Sequence, residues 1–140
     1  MTPGLLCVDT SAWHRAAHPA VATAWGTELA ADRLGLCAQV RLEILYSARS
    51  AGDYEALDDE LSSLVVIPIT DATWERARDV QRRLAHFRGL HHRSVKIADL
   101  VIAAAAEDAG ATVWHYDEDF ERIAALTGQT ISWIAPRGSL

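Results

Sequence analysis

Short apolar runs alternate with longer stretches of helical periodicity along this chain, and that alternation sets the expected fold. Leu5-Leu6-Cys7-Val8 is an apolar run of strand length, closed by Asp9-Thr10-Ser11, residue types suited to the start of a helix. Leu34 to Ala38 forms a second run, and a helical pattern from Val40 to about Ser50 follows it. Gly52-Asp53 is expected to break the chain ahead of an acidic helix that reaches Ser63. Val65-Val66-Ile67 is β-branched and stops at Pro68, which predicts a third strand. Thr70 or Asp71 can cap a long helix in which Trp74, Ala77, Val80, Leu84 and Phe87 recur at spacings of three and four, with Gly89 as its stop. A very apolar helix is expected from Ser94 to Ala109, ending at Gly110, where a C-cap glycine belongs. Thr112 to Tyr116 predicts a fourth strand, Glu118 to Leu126 a helix, and Thr130 to Ile134 a fifth strand.

Strand and helix alternating at this spacing require crossover connections, and therefore a parallel sheet covered on both faces. The expected architecture is one domain over residues 1–140, a three-layer α/β/α sandwich around a central parallel sheet of about five strands. No internal repeat, low-complexity segment or dividing linker interrupts it. Ligands of such sheets bind beyond the carboxyl ends of the strands, which is where functional residues are to be sought.

The chain has 140 residues, half of them hydrophobic, enough for a single sizeable core. No apolar run reaches membrane-spanning length, and no basic region precedes an apolar stretch at the N-terminus, so neither a membrane segment nor a secretory leader is expected. Cys7 and Cys37 each sit in an apolar run, and the reading is two buried, reduced thiols in a cytoplasmic protein. A net charge of −6 argues against nucleic-acid binding by overall attraction. The charge is uneven, however. Residues 76–96 hold seven of the 13 Lys and Arg residues against Asp79 alone, so this segment carries +6 and the remainder −12. It reads either as a solvated helix face with a basic loop or as a basic flank beside an acidic centre.

Four carboxylates have contexts that single them out. Asp9 and Asp117 each follow a strand and precede a helix, where a carboxylate is a cap or a ligand at the mouth of the sheet. From Ile97 to Ala106 nine of ten residues are apolar, and Asp99 is the exception. A helix apolar on every side is buried, and an ionised carboxylate there is costly unless it is paired or holds a metal. Glu43 sits among Leu42, Ile44 and Leu45, with Arg41 and Arg49 near enough in sequence for an ion pair. Several carboxylates meeting in one cleft raise one another's pKa. A hard divalent cation such as Mg²⁺ removes that conflict and keeps water sites for a substrate phosphate.

In these contexts the chain resembles PIN-domain proteins. Val8-Asp9-Thr10-Ser11-Ala12, Arg41-Leu42-Glu43-Ile44-Leu45, Ile97 to Ala105 around Asp99, and Tyr116-Asp117-Glu118-Asp119-Phe120 are similar to the four acidic motifs of that superfamily, in its order. Length and motif spacing most resemble the VapC toxins of type II toxin–antitoxin pairs, over Leu5 to about Ile134. The resemblance implies a Mg²⁺- or Mn²⁺-dependent endoribonuclease with Asp9, Glu43, Asp99 and Asp117 as catalytic and metal-binding residues. Ser11 and Asp119 are implied to support them, and either Asp117 or Asp119 leads the last motif. A small cognate antitoxin of VapB type and a homodimer are also implied. Arg82, Arg83, Arg88 and Arg93 become candidates for guiding RNA phosphates. One departure stands out: His115 occupies a position two before Asp117 where relatives often carry a hydroxyl.

Two other functions remain open at this level, a non-catalytic PIN scaffold that binds a protein partner and a metal-dependent phosphatase with Asp9 as nucleophile. The intact acidic set disfavours the first. Ser11, standing where such phosphatases carry a second aspartate, disfavours the second. His91-His92 is expected to be loop polarity with diverging side chains, the five tryptophans core or interface aromatics, and residues 53–60 a solvated helix face.

Overall fold

The computed structural model describes residues 4–87 and 91–140. Five strands, β1 Leu6–Val8, β2 Leu34–Leu36, β3 Val65–Val66, β4 Thr112–His115 and β5 Ile131–Trp133, form one sheet in the order β3-β2-β1-β4-β5. Every neighbouring pair is parallel. Among the described residues seven α-helices connect them: α1 Thr10–Trp13, α2 Ala22–Ala30, α3 Ala38–Tyr46, α4 Ala51–Leu61, α5 Asp71–His86, α6 Ile97–Ala109 and α7 Asp119–Thr127. The result is the expected three-layer α/β/α sandwich. The inner strands are covered by helices, and Cys7, Val8 and Val113 have no solvent exposure at all, whereas the edge strand β3 leaves Val66 exposed.

Strand β1 is central, with Leu6 beside Leu34 on one side and Val8 beside Trp114 on the other. The chain runs outward from β1 through β2 to β3, then crosses back to β4 on the opposite flank. The reversal point therefore lies between β1 and β4, and the residues just past these two strands, Asp9 and Asp117, face the crevice where open α/β sheets bind ligands.

Several boundaries differ from the sequence expectation for identifiable reasons. Helix α2 falls in a stretch for which the hydrophobic pattern gave nothing, because none of its residues is buried and Gly26 interrupts it. It is held instead through Trp25, which stacks on Trp114 at 5.7 Å and meets Trp13 edge-on at 5.8 Å. The break expected at Gly52-Asp53 comes earlier. Ser47 caps the end of α3, and the Ser50 hydroxyl caps α4 by accepting from the Asp53 N–H, so Gly52 sits in the first helical turn. Ser94 does not open α6. It closes a 3-10 turn, His92–Ser94, and the helix begins after Lys96. The rings of His91 and His92 do not diverge but stack at 4.4 Å, while His91 Nδ1 accepts from the Arg93 N–H and secures the turn. Gly89, the expected stop of α5, lies outside the described residues, as does Arg88.

Gly110 ends α6 in the left-handed conformation (φ 66°), as its place in the sequence suggested. Cys7 and Cys37 are buried and unpaired. Trp114 is buried, Trp13, Trp25 and Trp133 are half-buried, and Trp74 is exposed. No helix among the described residues is long and apolar enough to cross a membrane.

Candidate functional site

Asp9 leaves β1 in extended conformation and caps α1, so its carboxylate is both cap and site residue. Its Oδ2 accepts from the Ser11 N–H at 3.1 Å and from the Ser11 hydroxyl. That hydroxyl in turn accepts from the Tyr116 N–H at 2.8 Å. Ser11 thus ties the end of β1 to the end of β4. Asp9 is only 3% exposed, and burial raises its pKa against the Ser11 hydrogen bonds, with Glu43 adding to the rise.

Glu43 projects from α3 and is half-buried. It makes no ion pair with Arg41, which binds Asp58 on α4 instead. Its two oxygens accept from the Thr10 hydroxyl and, at 2.9 Å, from Gln39 Nε2.

Asp99 lies in the first turn of α6 and is 3% exposed, yet its Oδ2 accepts no hydrogen bond. Burial, the hydrogen bond with the Asp119 carboxyl and the nearby charge of Asp9 push its pKa up to about 8. Asp117 is half-buried; its Oδ1 accepts from the Asp119 N–H at 2.9 Å, which starts α7. Asp119 is buried, and Arg122 one turn further along α7 donates to its Oδ1 at 2.9 Å. Burial alone would raise the pKa of Asp119, but its bonds to Asp99 and Lys96 outweigh that and lower it.

Asp99, Asp117 and Asp119 form the tightest group: one oxygen from each lies within 4.8 Å of the other two. Such a convergence of hard oxygen donors, one of them buried and unsatisfied, fits a divalent cation. Asp9 is outside this triad but close enough for its charge to act on Asp99. Asp119 thus shares one oxygen cluster with Asp99 and Asp117.

Lys96, read from sequence as part of the basic flank, is also in the site. Its Nζ lies 2.9 Å from both Asp117 Oδ2 and Asp119 Oδ2. Partial burial works against its charge, but these carboxylates hold its pKa above the ordinary lysine value. Gln39 and Arg122 are further members from outside the four motifs, and Thr10 lies in the first motif without a role assigned to it there. Lys96 and Arg122 were within reach of sequence reasoning, each three residues from an acid on a helix. The Thr10–Glu43 contact was not, since 33 positions separate the two.

His115 is fully buried, with Nδ1 accepting from the Asp117 N–H at 3.1 Å and Nε2 unpartnered. It packs between Phe120 and Trp133, and burial pushes its pKa down to about 4. It thus fixes the backbone at Asp117 as a neutral ring. Beside Asp117 an open depression of about 300 Å³ is bounded by Tyr116, Trp133 and Arg137. Of the basic segment, Arg76 pairs with Asp79 and Glu107, and Arg83 with Asp79. Arg82 and Arg93 are exposed and make no ion pair among the described residues.

Residues 6–126 match the PIN domain family. The chain is 64% identical to ribonuclease VapC18 of Mycobacterium tuberculosis, over 97% of this chain and 99% of that protein. It is 41% identical to ribonuclease VapC21 of the same species, over 94% and 95% of the two chains. Among solved structures it is similar to DNA-bound VapBC from Salmonella typhimurium, with a TM-score of 0.73 at 18% identity over 94% of this chain and 98% of that one. VapBC-5 from Mycobacterium tuberculosis gives 0.62 at 20% identity over the same shares.

Proposed function

The chain belongs to the PIN-domain family, in its VapC ribonuclease branch, and from that premise we propose that it is an endoribonuclease toxin hydrolysing RNA phosphodiester bonds at Asp9, Glu43, Asp99 and Asp117 with Asp119. The observation that carries this reading is the convergence of the Asp99, Asp117 and Asp119 carboxylates, with Asp99 Oδ2 buried, without a hydrogen bond and met by the Lys96 ammonium at 3.3 Å. A carboxylate left so in a core helix is destabilising unless a cation completes it. Asp99, Asp117 and Asp119, joined by Asp9, would hold Mg²⁺ or Mn²⁺. When bound, such an ion supplies a nucleophilic water at neutral pH and neutralises charge on the phosphate and the leaving oxygen.

The chain's own residues supply position and proton acceptors. Ser11 fixes the Asp9 carboxylate, Arg122 fixes that of Asp119, and Thr10 with Gln39 orients Glu43. Glu43, held by the Thr10 hydroxyl and Gln39 Nε2, is placed to accept a proton from the attacking water. The depression beside Asp117 offers room for the adjoining nucleotide, and Arg82, Arg83, Arg88 and Arg93 supply positive charge on a chain that otherwise repels RNA. Solved relatives described as VapBC are toxin–antitoxin complexes, which supports a VapB-type antitoxin as the partner; a homodimer accords with the same family. Two buried free thiols suit a cytoplasmic location.

The test is cleavage. Purified protein should cut RNA with Mg²⁺ or Mn²⁺, fall silent with EDTA, and lose activity on Asp99→Ala. Cutting that survives chelation would remove the metal-site reading.

A further inference from the structure

Arginine accounts for all but one of the 13 basic residues; Lys96 is the only lysine. That one ammonium lies 2.9 Å from Asp117 Oδ2, 2.9 Å from Asp119 Oδ2 and 3.3 Å from Asp99 Oδ2. These are the residues whose oxygens converge as a candidate cation site. We propose that Lys96 is a resident stand-in for the divalent ion: its ammonium holds the three carboxylates together in the metal-free protein and must swing out before metal can take the same oxygens. The inference rests on the metal-site reading above and adds that metal and Lys96 exclude one another.

The chemistry of the side chain supports this role. An ammonium is a compact point charge with three donors, able to face three carboxylates at once, whereas a guanidinium presents a flat fork suited to two oxygens of one partner. Even so, Lys96 does not complete the site, since Asp99 Oδ2 remains without a hydrogen bond beside it. The lysine is also built to leave. Its side chain is 62% exposed, so withdrawal uncovers no core. Its backbone N–H donates to Asp119 Oδ2 at 3.0 Å and keeps the start of α6 anchored wherever the side chain goes. Arg122 stays on Asp119 Oδ1 and continues to orient it. A dication and an ammonium sharing those oxygens would repel strongly at such short range. Lys96 is therefore a positioning residue, preserving the arrangement of the acids at some expense of metal affinity.

Mn²⁺ titration without RNA, followed by electron paramagnetic resonance of the free ion, tests this on the wild type, Lys96→Met and Asp99→Asn. Lys96→Met should bind Mn²⁺ roughly tenfold more tightly, melt at a lower temperature without metal, and gain more from added Mn²⁺ than the wild type does. A residue that merely organises the ligands would give the opposite sign. Because the chain has one lysine, the side-chain ¹⁵N resonance of the lysine-labelled wild type reads the exchange directly and does not depend on the variant folding. Mg²⁺ should move that resonance to the position of a free surface lysine. Equal or weaker Mn²⁺ binding by Lys96→Met, or a lysine resonance unmoved at saturating Mg²⁺, would overturn the proposal while leaving the metal site standing. No saturable Mn²⁺ binding in any variant would instead overturn the metal-site reading, and this inference with it.

Discussion

Two buried groups, Asp99 and His115, respond to pH with opposite sign. Asp99 has a folded pKa of about 8 against an ordinary value of 3.8. The folded state therefore binds more protons than the unfolded chain between about pH 4 and 8, and stability is lost as pH rises through that window. His115 has a folded pKa of about 4 against 6.5. Here the unfolded chain binds more protons, so stability is present above about pH 6.5 and is lost as pH falls toward 4. Replacing Asp99 with Asn keeps its shape and removes its charge. Without metal, Asp99→Asn should be more stable than the wild type at pH 8, by about 1 kcal/mol. That advantage should shrink toward pH 5, while added Mg²⁺ raises the melting temperature of the wild type alone. Melting curves at several pH values decide it, and a variant less stable than the wild type at pH 8 would make Asp99 a structural ion-pair partner. At this scale the sequence exposed Asp99 because a lone acid in an apolar helix is anomalous. It could not show that Lys96 sits among the acids or that Glu43 leans on Thr10, since those pairings depend on how distant elements meet.

Elements were legible wherever one face is buried and periodic. Helices α5 and α6 and the inner strands β1, β2 and β4 stand close to their expected places because core packing imposes their patterns, and the edge strands β3 and β5 follow from their β-branched runs. Helix α2, lying on the surface and fastened by one tryptophan, has no such pattern to read. The sheet's own tight point was equally hidden in the sequence. Gly35 in β2 lies between β1 and β3, and a Cβ there would meet Val65 O at 3.0 Å and Ile67 Cδ1 at 3.1 Å. The first is backbone of a paired strand and cannot step aside without disturbing the ladder. Gly35→Ala should therefore cost about 1–3 kcal/mol through overpacking, despite removing a flexible residue from a strand. The midpoint of urea unfolding measures this; an unchanged or higher midpoint would show that β3 yields freely.

For the molecule as a whole, charge is the property that sequence and structure describe together. The chain carries −6 overall, yet residues 76–96 carry +6. The structure divides that segment, since Arg76, Arg83 and Lys96 are engaged by acids while Arg82 and Arg93 are exposed without an ion pair among the described residues. If the segment guides RNA, the paired substitution Arg82→Ala with Arg83→Ala weakens binding and flattens its salt dependence. The logarithmic slope should fall by about 0.7 for each phosphate of single-stranded RNA that is no longer neutralised. Binding to Asp99→Asn protein at several salt concentrations measures both without cleavage. An unaltered affinity and slope would leave these arginines as a solvated helix face.

The position of β1 at the centre of the sheet also governs when the protein becomes active. β1 is synthesised long before β4, its neighbour on one side; Ser11 and Tyr116, which join the two strand ends, are 105 positions apart. At about 5–20 residues per second, Asp9 waits roughly 5–20 s for the segment that completes its site. No shorter nascent chain brings Asp9 and Asp99 together with Asp117 and Asp119, so a chain truncated before Thr112 should neither bind Mn²⁺ nor cut RNA. On the proposed function, activity would arrive in a single late step rather than growing with chain length. A partner made alongside this protein has that interval in which to accumulate before there is anything to restrain.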